Sequence, residues 1–302
     1  MYQTGRRVLP LASGILCMAA LTLLGQQQDR PAQYRQEPAQ LSAHQITDSV
    51  YEVRGGSGAN AGFILTDTEV LVVDAKMNVE SAQDMLASIR ELTDKPIKRL
   101  LITHSDGDHI NGIPGFPRAV GIIAHGNSLK YMGEVFKPES GAPMRTGQTF
   151  AKEMVIHSGP SLVRLLYFGP AHTEGDAVVY IPAEKVVFLG DLIFIGRDPL
   201  IHKHKNGNSL GLVKVLKSVL ELDAEIFLHG HGAPAGRENI KAFIAGLEDK
   251  QNGIRSLIEE GKSLEEVKTI FKVEDSPASP GRTPRPSLVE IIYTEIKESK
   301  LR

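Results

Sequence analysis

Histidine and aspartate side chains are concentrated in one short segment of this 302-residue chain. From position 103 it reads Thr-His-Ser-Asp-Gly-Asp-His-Ile-Asn-Gly, which places four potential metal ligands within six residues. A bound metal ion needs such convergence, because its ligand atoms lie only about 2 Å from it. The segment predicts a metal site, with an aspartate- and glycine-rich turn carrying two incidental histidines as the alternative. The candidate ligands are His104, Asp106, Asp108 and His109.

Three further candidate ligands follow, each flanked by glycine or another small residue. His172 lies in Ala-His-Thr-Glu-Gly-Asp, Asp191 ends Val-Val-Phe-Leu-Gly-Asp, and His231 lies in His-Gly-His-Gly. Each comes near the end of an apolar run. Taken singly, such residues are more often caps or surface residues, but together they form an ordered series with the first segment.

The series His-x-Asp-x-Asp-His, Ala-His-Thr-x-Gly-Asp, Gly-Asp and Gly-His-Gly resembles the signature of the metallo-β-lactamase superfamily of hydrolases, over residues 48–235. Asn60 and Asp74 also stand where that family commonly has these residue types. The resemblance implies an α/β fold, a four-layer αββα sandwich, with two divalent metal ions at its rim. The implied ligands are His104, Asp106 and His172 for the first ion, Asp108, His109 and His231 for the second, and Asp191 as a bridge.

Position 106 departs from the usual family pattern, which has histidine there. An aspartate has a shorter side chain and adds negative charge, so it favours a harder ion than an imidazole would. Zinc is the first expectation, and iron or manganese are alternatives. Iron is an alternative because flavodiiron proteins of the same superfamily place a glutamate at this point. A further alternative is that Asp106 points away and that one metal ion is bound, at the second site.

The chemistry implied by the resemblance is hydrolysis of a small-molecule substrate. Metal ions lower the pKa of a water toward neutrality, and the hydroxide attacks an acyl carbon or phosphorus. Asp108 is the expected catalytic residue, because it would orient that hydroxide. The bond cleaved would be an ester, thioester, lactone, amide or phosphoester.

Three different functions compete with this expectation. β-Lactamase activity ranks lower, because the lactamase branches usually have cysteine or serine where Asp191 stands. An iron-containing redox enzyme would use the same fold with a different metal. A non-catalytic metal-binding module would use it with an incomplete site.

The remaining histidines divide into two groups. His202 and His204 lie where relatives place substrate-contacting loop residues, and His229 could support a ligand or substitute for one. Lys203, Lys205 and Arg197 could attract an anionic substrate or simply form a solvated loop. The isolated histidines are expected to be surface or core residues; they are His44, His125 and His157.

The elements that must position these residues follow from the apolar pattern. Short β-type runs at 50–54, 62–66 and 70–74 predict an antiparallel meander. Helical spacing indicates a helix at 79–92, followed by a buried strand at 98–103. Two groups of strands with helices after them indicate two sheets packed face to face and covered by helices. The other expected strands are 119–124, 151–157, 162–168, 177–181, 185–189 and 225–228, and the other expected helices are 126–136, 209–221, 238–260, 263–271 and 288–300.

Composition excludes several other classes of protein. The 34 basic and 36 acidic residues give a net charge of −2, which argues against nucleic-acid binding driven by overall charge. Hydrophobic residues at 41% and charged residues at 23% are ordinary for a globular protein. The single cysteine, Cys17, excludes an intrachain disulfide and leaves no thiolate pair for a metal site.

The amino-terminal residues predict export. Residues 1–25 carry Arg6 and Arg7 and then an almost wholly apolar run, which is the layout of a signal peptide or a membrane anchor. The polar, proline-containing residues 26–44 are expected to form a linker, and 45–302 the metallo-β-lactamase-fold catalytic domain with its C-terminal helices. We therefore expect a periplasmic or extracellular protein, without membrane contact unless the first segment is retained as an anchor.

Overall fold

A seven-stranded sheet forms one half of the computed structural model, which describes residues 39–133, 147–273 and 285–300. Its strands lie side by side in their order along the chain. The first four are antiparallel neighbours, whereas the last four run parallel. The strands are β1 (Ser42–Gln45), β2 (Val50–Arg54), β3 (Ala61–Leu65), β4 (Val70–Val73), β5 (Ile97–Leu101), β6 (Gly121–His125) and β7 (Gly147–Phe150).

A five-stranded sheet forms the other half. Its strand order is β12-β11-β10-β9-β8, and only the β11–β12 pair among these described strands is parallel. The parallel pair brings the carboxyl ends of β11 and β12 to one edge, as β4 and β5 do in the first sheet. The strands are β8 (Glu153–Ser158), β9 (Ser161–Leu166), β10 (Val178–Ile181), β11 (Val186–Phe188) and β12 (Ile226–Leu228).

Helices begin where the sequence offers caps. The Asn78 side chain accepts a hydrogen bond from the backbone N–H of Ser81, and Ser263 and Glu266 form a capping box. The described helices are α1 (Val79–Leu92), α2 (Gly107–Ile110), α3 (Gly126–Leu129), α4 (Ser209–Leu220), α5 (Arg237–Glu259), α6 (Leu264–Ile270) and α7 (Leu288–Ser299).

Alternating side chains divide the interior into three apolar layers. In β4, Val72 faces the core shared with α1, whereas Leu71 faces the core between the two sheets. In β10, Val179 faces that same central core, whereas Val178 faces the core shared with α4, α5 and α7. Since successive strand residues point to opposite faces, strands buried on both faces are apolar throughout. Three cores between helix, sheet, sheet and helix confirm the predicted four-layer αββα sandwich.

Several boundaries differ from the sequence predictions. β1 begins at Ser42, so residues 42–44, assigned above to the linker, are part of the first sheet and pair with β2. β7 lies between the expected helix 126–136 and the expected strand 151–157, where no strand was predicted, and it forms by pairing with β6. The helix expected at 126–136 is present as α3 over Gly126–Leu129, and its residues 134–136 lie outside the described residues.

The amino-terminal prediction falls outside the described part of the chain. Residues 1–38 contain the whole of the predicted export segment and most of the predicted linker. Among the helices that the structure describes, none has the length and apolar character needed to span a lipid bilayer.

Candidate metal centre

Strand ends of the first sheet position half of the candidate site. β4 and β5 are parallel neighbours, so Asp74 and the segment from His104 to His109 leave the same edge of the sheet. The backbone N–H of Asp74 donates to the carbonyl of Leu101 at 2.9 Å, which extends the pairing just past the strands. The loop that carries the candidate ligands therefore begins at the end of a hydrogen-bonded pair of strands.

Strand ends of the second sheet supply the other half. Asp191 follows β11 and His231 follows β12, and the N–H of Gly230 donates to the carbonyl of Gly190 at 2.9 Å. The N–H of Asn60, after β2, donates to the carbonyl of Gly230 at 2.7 Å and so joins the loops of the two sheets. The sequence predicted the ends of these strands correctly, and the sandwich brings them to one rim.

Two glycines allow the loops to approach closely. Gly190 has φ of 54°, and a Cβ there would lie 2.6 Å from Oγ1 of Thr103 and 3.1 Å from Nδ1 of His104. A Cβ on Gly230 would lie 2.9 Å from Cε1 of His109 and closer still to the Asp191 carboxylate. Side chains at either position would push the ligand candidates apart.

The seven predicted ligands gather into two adjacent clusters in the described part of the chain. We call the first, which is almost wholly enclosed, the deep cluster: its members are His104, Asp106 and His172. We call the second the open cluster: its members are Asp108, His109, Asp191 and His231. The ring centroids of His104 and His109 lie 4.1 Å apart, so the clusters are in contact.

Contacts within the deep cluster centre on one carboxylate oxygen. Oδ2 of Asp106 lies 3.1 Å from Nε2 of His172 and 3.8 Å from Nε2 of His104. Asp106 therefore points into the cluster and not away from it.

Contacts within the open cluster centre on Asp191. Its Oδ1 lies 3.2 Å from Nε2 of His109, and its Oδ2 lies 3.1 Å from Nε2 of His231. Oδ2 of Asp108 lies 3.3 Å from the same nitrogen of His231 and 3.9 Å from Nε2 of His109. Four donor groups thus face one small volume.

Contacts at Nδ1 of three of the imidazoles, those of His104, His109 and His172, orient Nε2 toward the clusters. Nδ1 of His172 donates to the carbonyl of Leu200 at 2.6 Å, and Nδ1 of His109 donates to Oδ2 of Asp74 at 2.8 Å. The hydroxyl of Thr103 donates to Asp74 and lies 3.1 Å from Nδ1 of His104. Such outer partners are characteristic of histidines that bind metals, because they set the tautomer and the ring orientation.

Several donor atoms in the clusters are buried without a hydrogen-bond partner. These atoms are Nε2 of His104, Nε2 of His109 and Oδ1 of Asp191. An unpartnered buried polar atom is costly unless a ligand satisfies it. Nitrogen and carboxylate donors directed at one point suit zinc or a similar divalent ion. The residues present therefore fit the metal ions that the resemblance implies.

Burial and neighbouring charges separate the histidines electrostatically. Burial, reinforced by the neighbouring His109, holds the pKa of His104 well below its ordinary value. Burial also disfavours a charged His109, but Asp191 and Asp74 outweigh it and raise its pKa well above the ordinary value. Hydrogen bonds to Asp108 and Asp191 raise the pKa of His231 to about 9. Burial thus favours the neutral form of His104, whereas neighbouring carboxylates favour the charged forms of His109 and His231, from which a binding metal ion would displace a proton.

The loop 196–208 contributes two contacts to Asp106. Nε2 of His202 lies 2.6 Å from Oδ2 of Asp106, and Nζ of Lys205 donates to Oδ1 at 2.7 Å. His204 is exposed, with its ring edge-on to that of His202. Lys203 instead pairs with Glu295, away from the clusters.

His229 faces a different part of the molecule. Its Nε2 donates to the carbonyl of Ala233 at 3.0 Å, and its ring lines a small internal cavity with Glu52 and Asp74. The hypothesis that it substitutes for a ligand at position 106 finds no support in this placement. The isolated histidines behave as expected, with His44 and His157 exposed and His125 buried against Tyr167.

Lys76 is a buried charged residue that the sequence reasoning missed. It is 1% exposed, and its ammonium donates to the carbonyl of Ala59. Burial lowers its pKa to about 8 although Asp108 and Asp74 oppose the shift. The lysine therefore fastens the loop before β3 beside the open cluster. A lysine two positions after Asp74, just past a strand end, was the signal that the sequence offered.

A family model matches the part of the chain that carries these residues. The model of the metallo-β-lactamase superfamily matches residues 54–231, a range that contains both clusters. This chain belongs to the metallo-β-lactamase superfamily. The match confirms the resemblance drawn from the ligand series.

Curated relatives match parts of the chain. An alkyl/aryl-sulfatase of Saccharomyces cerevisiae is 37% identical over 28% of this chain and 14% of its own length. The alpha subunit of a 2,4-dinitroanisole O-demethylase from Nocardioides is 23% identical over 68% of this chain and 60% of its own length. The chain thus spans less than two thirds of either relative.

Solved structures support the fold. A metallo-β-lactamase from Pontibacter korlensis superposes with a TM-score of 0.61 at 17% identity, over 69% of this chain and 99% of its own. A metallo-β-lactamase of Pseudomonas aeruginosa in a mono-zinc form superposes with a TM-score of 0.58 at 19% identity, over 69% and 95%. At such identity the likeness concerns the sandwich and not the substrate.

Proposed function

We propose that this protein is a metal-dependent hydrolase that cleaves an ester-type bond in a small molecule. The observation that carries the proposal is the pair of adjacent clusters, in which Nε2 of His104, Nε2 of His109 and Oδ1 of Asp191 are buried with no hydrogen-bond partner. The deep cluster would hold one divalent ion, and the open cluster, which contains Asp191, would hold another. Zinc suits these donors best, since imidazole nitrogens dominate the set.

Bound metal ions would supply an acidified water as nucleophile and would stabilise negative charge that develops on the substrate. Asp108 is suited to orient that water, because its side chain is 24% exposed while its carboxylate lies beside His231. Asp74 holds His109 from behind and keeps its Nε2 directed at the open cluster. The residues of this chain thus position the water and the metal-binding imidazoles, and no serine or cysteine nucleophile is needed.

The names of the relatives favour an ester-type bond over a β-lactam. One relative is a sulfatase and another an O-demethylase, and both names describe cleavage at an oxygen-linked group. Asp191, in place of the cysteine or serine that is usual in lactamase branches, favours the same choice. We also propose that residues 1–25 direct export, so that the hydrolase works in the periplasm or outside the cell.

The test combines metal analysis with a substrate panel. The mature protein is loaded with zinc, desalted and analysed for metal, and turnover is measured on carboxylic esters, thioesters, lactones, sulfate and phosphate esters and a chromogenic cephalosporin. We expect two equivalents of metal and turnover of at least one ester class, lost in His109→Ala and retained in His157→Ala. Metal-loaded protein that is inactive on the whole panel, or unchanged turnover in His109→Ala, would contradict the proposal.

A further inference from the structure

His202 has the same local signature as the histidines of the two clusters. It is 6% exposed, and its Nε2 is buried with no hydrogen-bond partner, as are Nε2 of His104 and Nε2 of His109. The nitrogen lies only 2.6 Å from Oδ2 of Asp106, yet it is not aligned with that oxygen for a hydrogen bond. A buried nitrogen in this state needs another partner.

Three imidazole nitrogens surround the same carboxylate oxygen. Oδ2 of Asp106 lies 2.6 Å from Nε2 of His202, 3.1 Å from that of His172 and 3.8 Å from that of His104. Donors that share one tetrahedral zinc ion, each about 2.0–2.1 Å from it, lie roughly 3.3 Å from one another. The three distances to Oδ2 fall on both sides of that value, and the imidazole of His202 would have to turn toward those of His104 and His172 for all four donors to share one ion.

Lys205 determines which oxygen of Asp106 is available. Its ammonium donates to Oδ1 of Asp106 at 2.7 Å and to the carbonyl of Ser105 at 2.9 Å. Oδ1 is thereby engaged on the outer side, and Oδ2 is left toward the imidazoles. The ammonium also balances the negative charge of the carboxylate.

Backbone hydrogen bonds hold His202 in place. Its N–H donates to the carbonyl of His172 at 2.8 Å, and its carbonyl accepts from the N–H of Gly207 at 2.9 Å. The N–H of Asn208 donates to the carbonyl of Ala171 at 2.7 Å. The rings of His172 and His202 meet edge to face at 4.8 Å. The position of His202 is therefore set by the segment that carries His172, a member of the deep cluster.

We propose that His202 is a metal ligand of the deep cluster, completing a set of three imidazole nitrogens and one oxygen of Asp106. The assignment rests on the metal binding in the proposed function and extends the ligand series to the loop 196–208. It gives the deep cluster four protein donors, a closed set of the kind that holds structural zinc. Lys205 is the residue that positions Asp106 within that set.

The test measures metal content and affinity, not turnover. Wild type, His202→Ala, His202→Gln and the control His204→Ala are stripped, reloaded with zinc and desalted, and the bound metal is then measured. We expect two equivalents in the wild type and the control, and one in both His202 variants. Glutamine keeps a hydrogen-bond donor near Asp106 but is a poor zinc ligand. The His202→Gln variant therefore distinguishes ligation of the metal by His202 from a role in which His202 only holds Asp106 in place. A supporting role alone would weaken binding about 10–100-fold on removal, and we expect a larger loss.

A rescue variant makes the test independent of folding. Asp106→His in the His202→Ala background places an imidazole on position 106 itself, and we expect it to restore the second equivalent. Two equivalents in His202→Gln, or no rescue in a variant that folds as the wild type does, would overturn the assignment. If the wild type binds two metals that depend on His202 but hydrolyses nothing, the proposed activity fails and the ligand assignment stands.

Discussion

The deep and open clusters share a rim but differ in access to solvent. In the deep cluster, His104 is 1% exposed and His172 is fully buried. In the open cluster, the side chains of Asp108 and His231 are 24% and 33% exposed. A metal in the deep cluster would be enclosed by protein, whereas one in the open cluster would face solvent and substrate. Under the proposed function, an ion in the deep cluster would hold the loops together, and an ion in the open cluster would meet the substrate.

The clusters also differ in charge. The deep cluster has one carboxylate, that of Asp106, which is balanced by the Lys205 ammonium. The open cluster has two carboxylates, and a third, Asp74, lies behind His109. The open cluster is therefore the more anionic of the two. Because its carboxylates raise the pKa values of His109 and His231, protons compete strongly with a metal ion for these imidazole nitrogens.

Removing the central carboxylate of the open cluster, that of Asp191, should have the largest effect. In Asp191→Ala, both His109 and His231 lose a carboxylate partner, and we expect turnover to fall by at least about 10³-fold because the metal-derived stabilisation is worth several kcal/mol. Steady-state kinetics and metal analysis on the same preparation measure it. The exposed Asp67→Asn is the matched control. An Asp191→Ala protein with wild-type turnover would show that the open cluster is not needed for hydrolysis.

Removing the carboxylate that orients His109 should weaken metal binding at the open cluster more than at the deep cluster. In Asp74→Asn, His109 loses the carboxylate that accepts from its Nδ1, so we expect about 10–100-fold weaker metal binding at the open cluster. Competition with a chelator resolves the two sites by their affinities. Equal weakening at both would show that Thr103 transmits the change to His104, and the contrast between the clusters would then be smaller than proposed.

The pH dependence of metal binding should differ between the clusters. A metal-binding imidazole must be neutral, so a histidine whose pKa is raised loses a proton on binding. Hydrogen bonds and charges raise the pKa of His231 to about 9, and Asp191 and Asp74 raise that of His109 well above normal. Burial lowers the pKa of His172, but Asp106 and Asp191 raise it to about 9, whereas that of His104 stays low.

Zinc affinity should therefore increase with pH below about 9 at both clusters. We expect release of about two protons at the open cluster and about one at the deep cluster. Isothermal titration in buffers of different ionisation enthalpy counts these protons. Equal counts, or affinity that falls as pH rises from about 6.5, would contradict the electrostatic contrast.

The smallest expected effect concerns the attraction of anionic substrates to the open cluster. The Arg197 guanidinium lies 4.3 Å above the Phe194 ring, which itself stacks on His231. Because an exposed charge contributes at most about 1 kcal/mol, we expect Arg197→Gln to reduce turnover of anionic esters by less than about fivefold and to leave neutral esters unchanged. Lys214→Gln, on the exposed face of α4, is the control. An equal effect on both ester types would indicate a structural role for Arg197.

Local patterns predicted most of the fold. Most apolar strands of both sheets and the helices at 209–221 and 263–271 appear where expected, because periodicity and the caps at Asn208 and Ser263 depend on neighbouring residues. Prediction failed where a distant partner decides the structure. β1 and β7 are strands because β2 and β6 offer them hydrogen bonds, and a glycine-rich or polar sequence carries no local signal of such a partner.

By itself, the sequence determined the ligand types, their order and the strands that deliver them, because each depends on residues close together in the chain. Only the tertiary structure decided how those ligands divide into two clusters and which residues lie behind them. Lys205 is 99 residues from Asp106, and its ammonium reaches that carboxylate because the loop 196–208 packs against the segment of His172. Contacts over such separations come from the packing of the two sheets. Through these contacts Asp106, which departs from the usual family pattern, lies beside the imidazoles of His172 and His202 and the ammonium of Lys205.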